Sequence, residues 1–342
     1  MKIGFDAMGG DHAPVETVKG AIESLDDFEG DIVLYGDEQK IVSELAKYKF
    51  NTDRIEVVHT TEIITNDDKP VKAIKTKSDS SMVVGLKALR KGDIDAFVSA
   101  GNTGALLAGG LFKVGRIKGI NRPALCTIYP TMGKASVLVD AGANAECKPR
   151  NLIEFAYMGS IYAERVLKLT KPRVALANIG AEETKGTQLY IETHALLKEA
   201  DLNFVGNVEG RDIPAGKVDV IVADGFTGNI ILKLTEGVAG TLIDGIKNAI
   251  VSSTKGKIGG VLIKKNLSVF KKQIDYTEYG GAPLLGVNGL VVKAHGSSNA
   301  KAFRNAIKYA KIGVETELVD EIKMKIAKLA PVIEIEDDNS AS

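Results

Sequence analysis

Gly, Asn, Asp, Ser and Thr gather at five points in this chain, each directly after a short β-rich apolar run. The five are Ile3–Asp11 (IGFDAMGGD), Ala96–Ala105 (AFVSAGNTGA), Val137–Asn144 (VLVDAGAN), Val174–Glu182 (VALANIGAE) and Val220–Asn229 (VIVADGFTGN). A strand that ends in glycine and small polar residues exposes backbone N–H groups and short side chains, which suits an anion. In open α/β sheets the carboxyl edge of the strands is where ligands bind. Five such loops converging on one crevice predict an oxyanion site built largely from backbone.

Within these loops, Gly9-Gly10-Asp11-His12 is a glycine turn feeding a helix N-terminus, where N–H groups and the helix dipole favour negative charge. The glycines could equally make only a tight turn, with Asp11 as a cap. His12 is one of four histidines and sits at this mouth. Ser99, Gly101, Asn102, Thr103 and Gly104 offer hydroxyl and amide groups between glycines, and the DAGAN loop ending at Asn144 is a shorter version. Asp224, Thr227, Gly228 and Asn229 complete the set. Lys185 lies just beyond a strand end, able to reach a phosphate as a point charge, to stabilise an oxyanion or to donate a proton. Otherwise it is a solvated first-turn lysine, in a place where its charge opposes the macrodipole. Near the C-terminus Val291-Val-Lys293-Ala-His295-Gly296-Ser297-Ser298 repeats the strand-to-polar-loop pattern. The two serines are expected at the N-cap of the helix that follows; capping accounts for one serine but not for His295-Gly296 beside both.

The elements that must hold these loops alternate between β-rich runs and helical-period segments, which predicts an α/β fold with a doubly wound, mainly parallel sheet. Ile3–Asp6 and Asp31–Tyr35 read as strands. Pro14 is expected at the first helical position, with Val15, Val18, Ala21, Ile22 and Leu25 at helical spacing behind it. Further helices are expected at Glu38–Tyr48, Ser80–Arg90, Gly104–Lys113, Asn151–Leu169, Thr184–Ala200, Gly228–Ala249 and Ala300–Lys311. No internal repeat and no linker rich in Pro, Gly and Ser divides the chain. Residues 1–333 are therefore expected as one α/β domain with a helical hairpin at about 235–275, and 334–342 as a disordered acidic tail.

The chain has 342 residues, with 44 Lys plus Arg against 44 Asp plus Glu, so no global field attracts nucleic acid. Its two cysteines, Cys126 and Cys147, have no CxxC or His-rich neighbourhood, which argues against both a disulfide framework and zinc. No metal or cofactor is expected. The N-terminus enters a strand without an apolar signal segment, and no apolar run approaches the roughly 20 residues that cross a bilayer. A soluble, cytoplasmic protein is the expectation. No G-x-G occurs anywhere, so the dinucleotide fingerprint is absent, and so is the G-x-x-x-x-G-K-[ST] phosphate loop.

One segment departs from the average charge. Between Gly245 and Ile274 there are seven lysines, among them Lys264, Lys265, Lys271 and Lys272, and no acidic residue. Ile258, Val261 and Leu262 are interspersed, and the glycines at 256, 259 and 260 predict a break between two helices. A basic hairpin with an apolar tip can rest on an anionic membrane; as an amphipathic pair it can also be buried between two protomers. The two readings are compatible.

Taken in order, DAMGGDHAP, SAGNTGA, DAGAN, NIGAEETKG, VGNVEGRDI, VADGFTGNIILK, EYGGAPLLG and KAHGSS resemble the PlsX family, the bacterial acyl-acyl carrier protein:phosphate acyltransferases of phospholipid synthesis. The resemblance runs from Met1 to about Gly313, and DGFTGN after NVEGRDI is its most specific part. It implies a fold similar to the isocitrate/isopropylmalate dehydrogenases and phosphotransacetylases, and a homodimer with a protruding helical hairpin. It also implies peripheral association with the inner face of the cell membrane. The implied reaction joins acyl-acyl carrier protein and inorganic phosphate to give acyl phosphate and free carrier. A downstream membrane acyltransferase then passes the acyl group to glycerol 3-phosphate.

With a second pKa near ~6, phosphate is already a nucleophilic dianion at neutral pH, so such an enzyme must mainly supply positioning and charge stabilisation. On this reading Lys185 and Asn229 act at the reacting centre, with Asn229 as oxyanion donor. His12 or Lys185 protonates the leaving thiolate, and Asp224 orients Lys185 or its loop. Gly9, Gly10, Asp11, Ser99, Gly101–Gly104, Asn144, Thr227, Gly228 and His295–Ser298 surround the phosphate. Lys264, Lys265, Lys271 and Lys272 are available to an acidic carrier, and Ile258, Val261 and Leu262 to lipid. The rivals are an enzyme of the same fold using coenzyme A thioesters, a metal-dependent decarboxylating dehydrogenase, for which the loops hold too few clustered acids, and a non-catalytic phosphate-binding membrane adaptor.

Overall fold

In the computed structural model the backbone is described for residues 1–274 and 280–339, and side chains for 1–270 and 280–328. The strands among them are β1 (Lys2–Asp6), β2 (Asp31–Gly36), β3 (Ile55–His59), β4 (Ala96–Ser99), β5 (Ala124–Tyr129), β6 (Ser136–Val139), β7 (Val174–Asn178), β8 (Phe204–Glu209), β9 (Val220–Val222), β10 (Ala282–Leu285) and β11 (Leu290–Lys293). They form one sheet in the order β3-β2-β1-β4-β11-β10-β5-β6-β9-β7-β8.

Alternation along the strands sorts side chains onto two faces, as a period of two requires. Ile3, Phe5, Ile32, Leu34, Ala96 and Val98 enter one core, and Val33, Tyr35, Phe97, Leu125 and Leu138 the other. The first face is covered by α1 (Val15–Ser24), α2 (Glu38–Leu45), α6 (Pro149–Arg165), α7 (Gln188–Glu199), α10 (Ala300–Glu315) and α11 (Leu318–Asn339). The second is covered by α3 (Pro70–Thr76), α4 (Ser81–Lys91), α5 (Thr103–Gly109) and the start of α8 (Gly225–Val251). A mostly parallel α/β sheet wound on both faces is therefore the observed architecture.

The direction of the strands refines one expectation. β4 is parallel to β1 and β11, but β10 is antiparallel to both β11 and β5, and β5 is antiparallel to β6. Three successive reversals leave β6, β9 and β7 running opposite to β1, β4 and β11. The polar loops consequently leave two opposite edges of the sheet, three at each, and residues from the loops after β4, β6, β9 and β11 still meet in one cavity.

Local signals hold with small shifts. Helix α1 starts at Val15 with Pro14 in the cap position. The N-cap of α10 is Asn299, whose side chain accepts from Ala302 N, so neither Ser297 nor Ser298 caps it. Lys185 precedes α7, which starts at Gln188, and so is not a first-turn residue. The hairpin breaks at Ser252-Ser253, before α9 (Thr254–Ile274), so Gly256, Gly259 and Gly260 are inside a helix. Two of these glycines have a packing reason: a Cβ on Gly256 would meet the Ile250 carbonyl oxygen at 2.3 Å, and one on Gly260 would meet Ile250 Cγ2 at 2.4 Å. Helix α11 continues to Asn339, through most of the acidic segment that begins at Glu334. The side chains of Lys271 and Lys272 and residues 340–342 lie outside the described residues.

Candidate active site

At the first edge, the loops after β1, β4 and β11 are knitted together. Asp11 N donates to the Gly296 carbonyl at 2.8 Å, and Gly101 N to Ser99 Oγ at 3.1 Å. Gly10, at φ +110°, leaves only 3.1 Å between a would-be Cβ and the Gly296 oxygen, so a side chain there would be strained twice over. Beneath them Asp6 is fully buried and accepts from Ser81 Oγ at 2.7 Å and Ser99 Oγ at 2.6 Å. Burial pushes its carboxyl up, and the two hydroxyls pull the other way. Asn102 caps α5, its Oδ1 accepting from Ala105 N, while its amide donates to the Thr65 carbonyl. Gly9 packs against Asp6 and the Gly101 amide, and Gly104 against Pro70. His12 is exposed.

At the second edge, the loops after β6 and β9 turn their amides inward. The buried Asp140 carboxylate accepts from the backbone of Leu125, Gly142, Ala143 and Asn144 and from the Asn144 side-chain amide. These N–H groups, expected to face a ligand, are engaged by an internal anion. Asn144 itself is buried and also donates to the Pro123 carbonyl. Asp224 is the N-cap of α8, accepting from Thr227 N and Oγ and from the Tyr190 hydroxyl at 2.5 Å. It fixes the start of α8 and, through Tyr190, ties it to α7 where that helix packs against the Lys185 loop at Gly186. Among the described residues no hydrogen bond or ion pair joins it to Lys185. Gly228 lets α8 approach β6: a Cβ there would be 1.9 Å from the Asp140 carbonyl oxygen. Lys185 is exposed on the neighbouring loop, its stem lying across Gly180.

Helix α8 joins the two edges. It starts at the second, crosses the face of the central strands, and ties to Tyr129 at the far end of β5 through a 2.7 Å contact between the Tyr129 hydroxyl and Thr235 Oγ1. Beneath it lies a cavity of about 180 Å³. Its apolar wall includes Leu125, Ala141, Leu232, Ala282 and Ala302, and its polar groups are Thr103, Thr127, Asn229, Lys233, Glu236, Lys293, His295 and Ser298. Asn229 sits over Gly142, and among the described residues its side-chain amide has no hydrogen-bond partner. Lys233 Nζ lies 2.7 Å from Glu236 Oε2 and 3.4 Å from His295 Nε2. His295 Nδ1 is 2.9 Å from Ser297 Oγ, and burial followed by the charge of Lys233 lowers its basicity.

Of the residues expected at the site, the cavity brings together Thr103, Asn229, His295 and Ser298. It does not include Lys185, His12, Gly9 or Ser99 in its wall. Sequence reasoning missed Lys233, Glu236 and Lys293. The first two carry a legible signal, since positions 229, 232, 233 and 236 share one helical face. Lys293 is the last residue of a strand inside a motif already singled out.

Both cysteines are poor nucleophiles here. Burial pushes the Cys126 thiol well up, and that of Cys147 to about 11, with Asp140 adding to each. No cluster of three or more metal-ligating side chains occurs among the described residues. The arrangement can place an anion between cationic groups, against an apolar wall and beside a free amide donor.

The model of the fatty acid synthesis protein family matches residues 1–321. A phosphate acyltransferase of Alkaliphilus oremlandii is 56% identical over 96% of this chain and 98% of its own length, and that of Clostridioides difficile is 53% identical over 96% and 97%. Among solved structures, a phosphotransacetylase from Streptococcus pyogenes superposes with a TM-score of 0.60 at 15% identity, covering 92% of this chain and 94% of its own, a likeness of fold. The chain belongs to the fatty acid synthesis protein family, the PlsX phosphate acyltransferases that its motifs resemble, and its role is that of an acyltransferase.

Proposed function

We propose that the chain transfers an acyl group from acyl-acyl carrier protein to inorganic phosphate, giving acyl phosphate and free carrier for phospholipid synthesis. The observation that carries this reading is the cavity under α8, where cationic groups and an unpartnered amide face an apolar wall and neither cysteine is present. Phosphate dianion attacks the thioester carbonyl directly. Lys233 and His295 hold the phosphate with Thr103 and Ser298, and the Asn229 amide donates to the oxyanion as it forms. The apolar wall takes the first carbons of the acyl chain.

The test is a product assay with acyl-acyl carrier protein and phosphate, trapping acyl phosphate with hydroxylamine. Hydroxamate formed with the carrier-bound substrate, and much more slowly with acyl-CoA, is the expected result. Equal rates with acyl-CoA would move the assignment to a coenzyme A enzyme, and no product at all to a phosphate-binding adaptor.

The hairpin supports two further parts of the reading. Phe226, Ile230, Leu234, Val238, Leu242 and Ile246 recur every fourth residue along α8 and all are exposed, from 39% to 65%. Such an i±4 ridge packs against another helix, which fits a homodimer formed through α8. On α9, Ile258, Val261 and Leu262 are 62%, 75% and 78% exposed, near exposed Lys264 and Lys265. No described helix is long and apolar enough to cross a membrane, so this surface fits peripheral contact with an anionic leaflet. Replacing Ile258, Val261 and Leu262 with serine is expected to release the protein from vesicles containing anionic lipid in a flotation assay. Activity on soluble substrate should survive; unchanged flotation would assign these residues to the dimer alone.

A further inference from the structure

We propose that Lys293 is the proton carrier of this cavity, protonating the departing carrier thiolate and recovering the proton from the phosphoryl group of the product. The inference rests on the acyl phosphate reading above and adds to it the residue that balances the reaction.

Lys293 ends β11, where β10 begins beside it, and its side chain is part of the cavity wall. Its ammonium donates to the Ala294 carbonyl. Among the described residues no carboxylate lies within ion-pair distance of it. The groups that face it are Asp6 at the end of β1 and Asp11 from the loop after it, Lys233 with Glu236 from α8, and His295 on its own loop. Asp6 is held by Ser81 and Ser99 instead. A mostly buried ammonium whose facing carboxylates, Asp6 and Asp11, lie beyond ion-pair distance is costly, and a bound phosphate or a nascent thiolate supplies a closer negative charge.

The other cations of the wall suit proton transfer less well. Lys233 is ion-paired to Glu236 and half exposed. His295 has its basicity reduced by burial and by Lys233, so it is mainly neutral at pH 7. Burial, reinforced by Lys233 and opposed by Asp6 and Asp11, lowers Lys293 to about 8. That is close to the ~8.5 of a free thiol, so transfer between the two is nearly balanced in free energy.

The step closes without any other acid or base. An oxygen of HPO₄²⁻ attacks the carbonyl carbon and the C–O bond forms. The tetrahedral intermediate collapses, and the C–S bond breaks with its electron pair on sulfur. The Lys293 ammonium gives a proton to that sulfur. The neutral amine then takes the proton still carried by the phosphoryl group, whose second pKa is near ~6. Products are acyl phosphate dianion and thiol, and the lysine is again an ammonium.

The test compares Lys293→Arg, Lys293→Met and Lys293→Ala with the wild type in the hydroxamate assay, with thermal melting as a check of folding. Arginine keeps the charge but does not release a proton. Lys293→Arg should therefore keep the KM for phosphate within about threefold while kcat falls at least about 100-fold, the usual scale of acid–base help. Lys293→Met should lose both. Wild-type kcat should fall as pH rises through about 8, as the ammonium is lost, and this limb should vanish in Lys293→Arg. Methylamine should restore part of kcat to Lys293→Ala in a saturable way. If the folded arginine and methionine variants turn over within threefold of the wild type, the proposal fails. It fails equally if the loss in Lys293→Ala does not respond to amine and the alkaline limb is unchanged in Lys293→Arg, which would make Lys293 a structural residue. A wild type that forms no hydroxamate would instead overturn the acyl phosphate reading itself.

Discussion

Replacing Asn229 with alanine is expected to lower kcat for acyl phosphate formation by roughly 100- to 1000-fold, the usual loss on removing one oxyanion donor. The expectation is specific because this side chain has so little else to do. Asn229 is exposed on the first turns of α8, borders the cavity, and its amide has no partner among the described residues. Removing it leaves no buried group unsatisfied, so the melting temperature should stay within about 1 °C, as for a surface substitution worth ±0.5 kcal/mol or less. The KM for phosphate should change little, because the donor acts on charge that appears only in the transition state. Steady-state kinetics with varied phosphate separate the two quantities. A folded Asn229→Ala enzyme with near-normal kcat would falsify the assignment and leave the oxyanion to the backbone.

Asp140→Ala should show the opposite pattern, a large loss of stability whose effect on activity is secondary. Five N–H groups converge on this buried carboxylate, four from backbone and one from the Asn144 side chain, and those of Leu125 and Asn144 are buried with it. An alanine leaves all five without this acceptor, and the buried donors of Leu125 and Asn144 lose the most. Uncompensated buried donors cost about 1–3 kcal/mol each where they cannot relax, and breaking a buried charged network costs about 3–5 kcal/mol in total. For a chain of this size that corresponds to a fall in Tm of roughly 5 °C. Asp140→Asn keeps one acceptor oxygen and should lie between alanine and wild type. Calorimetry on the three proteins checks the order. An alanine variant as stable as the wild type would mean that the loop refolds around other acceptors, and that its amides are open to ligands after all.

The contrast between these two residues shows where sequence reading works. Asp140 and Asn229 belong to loops of similar composition, and from sequence both loops read as anion-binding. The strands, the glycine turns and the family motifs were legible because each depends on neighbours within a few residues. What the Asp140 amides face was not legible, because their acceptor is set by how the β6 loop folds against Leu125 on another strand. The same holds for the edges: the strand segments could be read, but their relative direction depends on β10 and β11, contributed from more than a hundred residues later in the chain. Lys185 looked close to the chemistry because a strand end puts it near an edge. The cavity instead takes its charge from Lys233 and Lys293, which only the crossing of α8 over β5 and β10 brings together. Two of the hairpin glycines, Gly256 and Gly260, were misread for a related reason, since close approach to Ile250 explains them as well as a helix break would.

Helix α8 has 27 residues, about 40 Å at 1.5 Å per residue. Its first turns carry Asn229, Lys233 and Glu236, and the same continuous rod carries the apolar ridge out to Ile246 and the Ser252-Ser253 turn. A tilt of this rod by only 3°, pivoting at the Asp224 cap, displaces the far end by about 2 Å but Asn229 by a few tenths of an ångström at the 1.5 Å rise per residue. The leverage is thus set by length: small motions of whatever grips the outer end barely displace Asn229, whereas anything that shifts the cap at Asp224 is amplified outward.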